Sequence, residues 1–222
     1  MDQYILLAKS AIEIYIKEGK IISPPEDLPG EFLTRMAGTF VTIMKGGELR
    51  GCIGTYLPTK INIAQEIIHN AVAAATEDYR FDPIQKTELP YLSYTVYILS
   101  YPELVMEVDP AKWDSPKIRK ILFDRVNPKK FGIIVKTTPF VYPSGSEEEK
   151  REQALFDHPN KDVEWFDGRV PFKSGLLLPD LEGIDTIEQQ ISIACQKGGI
   201  NPEKEKIIIY RFTVKKYQQD TQ

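Results

Sequence analysis

Thr39-Phe40-Val41-Thr42-Ile43-Met44-Lys45-Gly46-Gly47-Glu48-Leu49-Arg50-Gly51-Cys52-Ile53-Gly54-Thr55 decides how the chain folds. Its first seven residues are β-branched, aromatic or long-chained, types that suit a pleated, half-buried surface. Gly46-Gly47 then marks a tight turn, because two successive glycines accept the positive φ of the commonest two-residue hairpin loops. The returning arm runs from Leu49 to Thr55. A β-hairpin is therefore expected, with Cys52 on or at the end of its second arm.

Outward from the hairpin, residues 61–78 carry Ile61, Ala64, Ile67, Ile68, Ala71, Val72 and Ala75 at helical spacing. The Ala73-Ala74-Ala75 run suits close approach by another element. Residues 2–18 read as an amphipathic helix stopped by Gly19, and 20–38 as loop. Leu92–Leu99 is a strand ended by Tyr101-Pro102. Ser115-Pro116 opens a helix to about Val126, with Ser115 as N-cap and proline in the first turn. Phe131–Lys136 is a short buried strand. Residues 137–173, with four prolines and the acidic run Glu147–Glu149, form a long excursion in which Ser146 and Glu149 suit a capping box. Gly175–Leu181 returns to the core. Asp185 and Glu188 suggest a capping box for a helix over 186–197, closed by Gly198-Gly199. Ile207–Val214 is the last strand. Strict strand–helix alternation is absent, so the fold class is α+β with a largely antiparallel sheet rather than a parallel βαβ array.

The chain has 222 residues, enough for one large domain or two intimate subdomains. Hydrophobic residues make up 42% and charged residues 27%, an ordinary globular balance. A net charge of −4 disfavours a general grip on nucleic acid, which needs a basic stripe. Two cysteines far apart, Cys52 and Cys195, are no disulfide framework and suit a reducing compartment. The start Met1-Asp2-Gln3 lacks a basic region ahead of an apolar core, so no signal peptide is expected. No apolar run approaches the ~20 residues that span a bilayer. The expected location is the cytoplasm, without membrane or nucleic-acid partners.

Arg50-Gly51-Cys52-Ile53-Gly54-Thr55 holds the best candidate chemistry. Gly51 and Gly54 allow close approach of a ligand, and their amides suit a small anion nest. Arg50 offers a planar donor fork for carboxylate or phosphate. A thiol in such company can be a nucleophile. The same residues equally describe a glycine-rich hairpin around a small buried cysteine. Asp78 and Arg80 follow the best helix; they either orient a polar ligand or form an ion pair that fixes a turn. His69 could act as base to Cys52 only if the fold brings the two together. His158 sits among Asp157, Asp162 and Glu164 without the repeated short spacing of a metal site, so no metal and no cofactor are expected. Cys195 lies beside Ile191 and Ala194 on a helix, as a core residue would. Phosphate-loop, dinucleotide, GxSxG and HExxH motifs are absent. Gly51-Cys52-Ile53-Gly54 fits the GxxG of an RNA-binding KH loop, but that loop joins helices, whereas both flanks here read as strands.

Leu49-Arg50-Gly51-Cys52-Ile53-Gly54-Thr55 resembles the LRGCIGT signature of the AMMECR domain family, whose bacterial and archaeal relatives are called protein A of the AmmeMemoRadiSam system. Phe40-Val41-Thr42, Asn70–Ala75, Asp78-Tyr79-Arg80-Phe81, Glu88-Leu89-Pro90, Leu99–Glu103, Gly175–Leu181 and Lys197–Ile200 agree in the same order. The resemblance covers nearly the whole chain. Two departures stand out: Tyr79, where relatives often carry proline or serine, and residues 137–173, where relatives have a much shorter link. The resemblance implies a single AMMECR-type domain over 1–222. It implies a larger part built from both chain ends, a smaller β-rich part, and a ligand cleft between them. It also implies association with a Memo-type dioxygenase-like protein and a radical S-adenosylmethionine protein. Two functional expectations follow. One is an enzyme or enzyme component acting on a small anionic substrate, with Cys52 as reactive thiol and Arg50, Gly51, Gly54, Thr55, Asp78 and Arg80 binding the ligand. The other is a non-catalytic module that docks the two partner proteins.

Overall fold

The structure, a computed structural model, describes residues 2–137 and 173–219. The helix α1 (Gln3–Glu18) begins where the Asp2 carboxylate accepts from the Tyr4 amide and ends at left-handed Gly19. A short helix α2 (Gly30–Thr34) leads into the hairpin, β1 (Thr39–Lys45) and β2 (Glu48–Gly54). Both turn glycines have positive φ, 59° at Gly46 and 86° at Gly47. This is the conformation for which the glycine pair was needed. The third helix, α3 (Ile63–Thr76), is capped by the Asn62 side chain, which accepts from the Gln65 amide. It is shorter at both ends than the periodicity suggests. A 3₁₀ turn over Lys86–Tyr91 precedes β3 (Leu92–Leu99).

Two further strands were not expected from the sequence. They are β4 (Glu103–Val108), after the Tyr101-Pro102 break, and β8 (Val214–Gln218), after Thr213 interrupts β7 (Ile207–Phe212). Their polar composition, in ELVMEV and VKKYQ, hid them. Between them lie α4 (Pro116–Arg125), β5 (Gly132–Lys136), β6 (Ser174–Leu177) and α5 (Ile187–Gly198). Ser115 precedes Pro116 as expected, but its side chain makes no capping bond. The capping box of α5 is one residue later than the sequence suggested. Thr186 accepts from the Gln189 amide and the Gln189 side chain returns the bond, in place of Asp185 and Glu188. The excursion opens and closes at one point: the Thr137 amide donates to the Lys173 carbonyl, and the Lys173 amide to Thr137 Oγ1 at 2.9 Å. On either side of it β5 and β6 pair antiparallel, from Lys136–Ser174 to Ile133–Leu177. The capping box anticipated at Ser146 and Glu149 lies outside the described residues.

Two antiparallel sheets result, with strand orders β2-β1-β3-β8 and β4-β7-β5-β6. The chain divides into two compact units. The first holds residues to Leu99 together with the C-terminal stretch from Lys215, so both chain ends meet in it. The second holds the described residues between Ser100 and Val214. In the first unit, α1 and α3 cover one sheet face, and Ile5, Ile12, Val41, Ile43, Ile67, Ala71 and Val96 are fully buried between them. Burying an isoleucine contributes roughly 1.5–3 kcal/mol, so this face dominates the unit's stability. In the second unit, α5 lies on β5 and β6 over Ile133, Val135, Ile191 and Ala194.

One device serves both units. A Cβ on Gly51 would fall on the Ala74 carbonyl oxygen of α3, and a Cβ on Gly175 on the Ala194 carbonyl oxygen of α5. In each case a strand glycine lets a helix backbone lie directly on the sheet. The Ala73–Ala75 run is the helical half of the first contact.

Candidate functional site

The site follows from the register of the hairpin. Gly51 pairs with Ile43 and faces α3, so its neighbour Cys52 points to the opposite sheet face, beside Thr42. The Cys52 amide does not bond to β1. It donates to Asp78 Oδ2 at 2.8 Å. Cys52 and Thr42 are therefore a non-hydrogen-bonded antiparallel pair, the kind whose side chains come closest. Accordingly Cys52 Sγ lies 3.2 Å from Thr42 Oγ1. The same face carries Phe40, Thr95 and Tyr97. Burial pushes the Tyr97 phenol up, with a smaller contribution from the charge of Cys52.

Asp78 joins the thiol-bearing strand to a cation. Buried at 5% exposure, it accepts Arg80 Nε on Oδ1 at 2.8 Å and Arg80 Nη2 on Oδ2 at 2.6 Å. Oδ2 is thus shared between the Cys52 amide and the guanidinium. The Arg80 fork, outweighing burial, holds the Asp78 carboxyl below its usual range. In return Asp78 above all, and the Cys52 sulfur to a smaller degree, push Arg80 upward. The Arg80 guanidinium and the Cys52 amide therefore meet on one carboxylate oxygen. Of the two readings offered for Asp78 and Arg80, the structure shows the ion pair that fixes a turn, and Asp78 also holds the Cys52 amide.

Arg50 has a different place. The pairing skips from Ile43–Gly51 to Met44–Leu49, so Arg50 is the extra residue of a β-bulge. A bulge re-aims its side chain. Arg50 grips Glu88 with two bonds, 3.0 and 2.9 Å, and Lys45 adds a third at 2.8 Å. Arg50 foremost, then Lys45, lower the Glu88 carboxyl to about 2. Glu88 also caps the 3₁₀ turn through the Gln85 amide.

Thr55 and the two glycines serve packing. The Thr55 hydroxyl donates to Glu66 Oε1 at 2.5 Å. Glu66, fully buried on α3, also accepts the Thr59 amide and the Lys60 amide, each at 2.7 Å, and the Thr59 hydroxyl at 3.0 Å. Asn70, one turn on, donates to the Thr39 carbonyl and hydroxyl. Gly54 lies against the Phe40 ring and the Thr39 carbonyl. Of the neighbouring amides, that of Cys52 serves Asp78 and that of Thr55 serves the Thr39 carbonyl.

His69 is exposed on α3, across the sheet from Cys52, and so is not its base. Cys195 is buried at 4% exposure, and burial, with Glu205 nearby, pushes its thiol up to about 11. His158 lies outside the described residues. No group of metal-ligating side chains occurs among the described residues. Thr42, Glu66, Asn70 and the role of Glu88 escaped sequence reasoning. Glu66 and Asn70 carried a signal in principle, as polar residues on the apolar stripe of α3.

With this geometry in view, the comparisons with known proteins identify the family. The AMMECR1 family model matches residues 5–217, and the chain belongs to that family. It is similar to a protein of Thermotoga maritima, 39% identical over 216 residues that cover 97% of each chain. Protein CA_C1420 of Clostridium acetobutylicum is 32% identical over 98% of this chain, which spans only 36% of that longer relative. Among solved structures, the uncharacterized protein PH0010 from Pyrococcus horikoshii has the same fold. Its TM-score is 0.69 at 28% identity, over 98% of this chain and 90% of the other. No helix among the described residues is long and apolar enough to cross a membrane.

Proposed function

We propose that the protein is an enzyme or enzyme component that works through the Cys52 thiol on a small anionic substrate. The supporting observation is the placement of Cys52 Sγ beside the Thr42 hydroxyl, on a residue whose amide shares Asp78 Oδ2 with the Arg80 guanidinium. A cation and a hydroxyl next to sulfur favour a nucleophilic thiolate. In this reading Asp78 holds Arg80 and β2 together. Arg50, Gly51, Gly54 and Thr55 keep the strand in position, with the Glu88-bound Arg50 a secondary anion contact at most. The place of action is the cytoplasm.

A second reading is favoured by how much of the signature is spent on internal bonds. Arg50 is on Glu88, Thr55 on Glu66 and the Cys52 amide on Asp78. Here the hairpin is a docking surface for a Memo-type dioxygenase-like protein and a radical S-adenosylmethionine protein.

Two variants separate the readings. Cys52→Ser and Arg50→Ala are compared with the parent for native-state labelling by iodoacetamide and for pull-down of the two partner proteins. The thiol reading expects labelling of native protein that Cys52→Ser removes, with pull-down unchanged in that variant. Labelling that appears only after unfolding, together with a pull-down weakened by Arg50→Ala, overturns it in favour of docking.

A further inference from the structure

Cations and carboxylates around the signature are sorted into two groups, and one of them is tied to Cys52 through its backbone amide. Lys45 and Arg50 converge on Glu88, and the Arg50 side chain is 16% exposed. Arg80 is on Asp78, and its side chain is 44% exposed. Asp78 Oδ2 accepts both Arg80 Nη2 and the Cys52 amide. The two nitrogens are therefore no further apart than those two bonds laid end to end. Asp78 uses the Nε–Nη2 edge of the guanidinium. A guanidinium has five donors in a rigid fork, so the Nη1 side is left for a second planar or tetrahedral anion. Phe81 lies under the group at 5.4 Å from its ring centroid and limits its freedom.

We infer that Arg80, and not Arg50, is the specificity-determining residue of the Cys52 site. It selects electrophiles that carry a carboxylate or phosphate close to the carbon attacked by sulfur. Asp78 is the positioning residue that fixes Arg80 relative to the thiol. The inference rests on the thiol reading above, and adds to it which cation reads the substrate and what chemical group is read.

The test compares two alkylating reagents that differ in one charge, iodoacetate and iodoacetamide. In both, a sulfur–carbon bond forms as the carbon–iodine bond breaks. Iodide leaves with the electron pair, and the thiol proton goes to solvent. A small thiolate such as N-acetylcysteine repels iodoacetate and reacts faster with the amide. At Cys52 in full-length protein, the acetate-to-amide rate ratio is expected to exceed that of N-acetylcysteine by roughly tenfold, as an opposite charge a few ångströms from a reacting group allows. The excess should shrink with added salt. Arg80→Gln should return the ratio to that of the small thiol, whereas Arg50→Gln should leave most of it. A parent ratio equal to that of N-acetylcysteine overturns the inference without need of any variant, while leaving Cys52 a reactive thiol. An excess that vanishes in Arg50→Gln but survives in folded Arg80→Gln also overturns it. Failure of both reagents to modify native Cys52 sinks the thiol reading itself, and this inference with it.

Discussion

At the scale of single residues, Glu88 shows how little a sequence says about an acidic side chain until its neighbours are known. Nothing in Glu88-Leu89-Pro90 marks it as the carboxylate on which Lys45 and Arg50 converge. That role depends on a bulge that turns Arg50 out of the ladder. The consequence is measurable. The folded-state carboxyl is lowered from 4.5 to about 2, so its stabilising effect is complete above the unfolded value and is lost as pH falls from about 4.5 towards 2. Asp78, also lowered, loses its contribution over an acid range below 3.8. Urea denaturation at pH 6 and pH 3 should show a stability loss to which Glu88 contributes roughly 1 kcal/mol after allowing for solvent screening. Glu88→Gln should be less stable than the parent at pH 6, with the gap narrowed at pH 3 and closing only as the pH nears 2. An unchanged gap between parent and variant at the two pH values would contradict this account of Glu88.

At the scale of elements, the decisive contact is that of β2 on α3. Gly51 in the signature was read as room for a ligand, but the space is filled by the Ala74 carbonyl. Gly51→Ala should therefore cost about 1–3 kcal/mol, the range for overpacking a filled contact. Gly30→Ala, with nothing within 4 Å and no positive φ, should be nearly neutral in the same urea titration. Equal effects would mean that the close approach is unimportant. The hairpin, α1, α3 and α5 were legible because each has a strong period and glycine or polar punctuation at its ends. Strands β4 and β8 were not. Their side chains alternate with charged residues, and their pairing partners are remote in sequence: Glu103 pairs with Arg211, and β8 joins the sheet beside β3. The candidate site was legible in its members but not in its bonds. Cys52, Asp78 and Arg80 could be picked from the sequence, whereas the shared Asp78 oxygen and the Thr42 partner depend on strand register.

At the scale of the whole molecule, two units repeat one packing solution around different chemistry. Each lays a helix backbone on a strand glycine, Gly51 under α3 and Gly175 under α5. Each also contains one cysteine, and the two thiols could hardly be more differently placed. Cys195 is sealed in the second core, with its thiol raised to about 11. Cys52 is half-buried on the sheet face away from the helices, beside Thr42 and near Arg80. The protein thus carries its own internal control for the claim that Cys52 is chemically special. The direct measurement is the iodoacetamide reaction rate of each cysteine in one native sample near neutral pH, read by peptide mass mapping and set against glutathione. The account predicts that Cys52 reacts faster than glutathione while Cys195 stays unmodified until the protein is unfolded. A native Cys52 as inert as Cys195 would contradict it and leave the signature a structural hairpin.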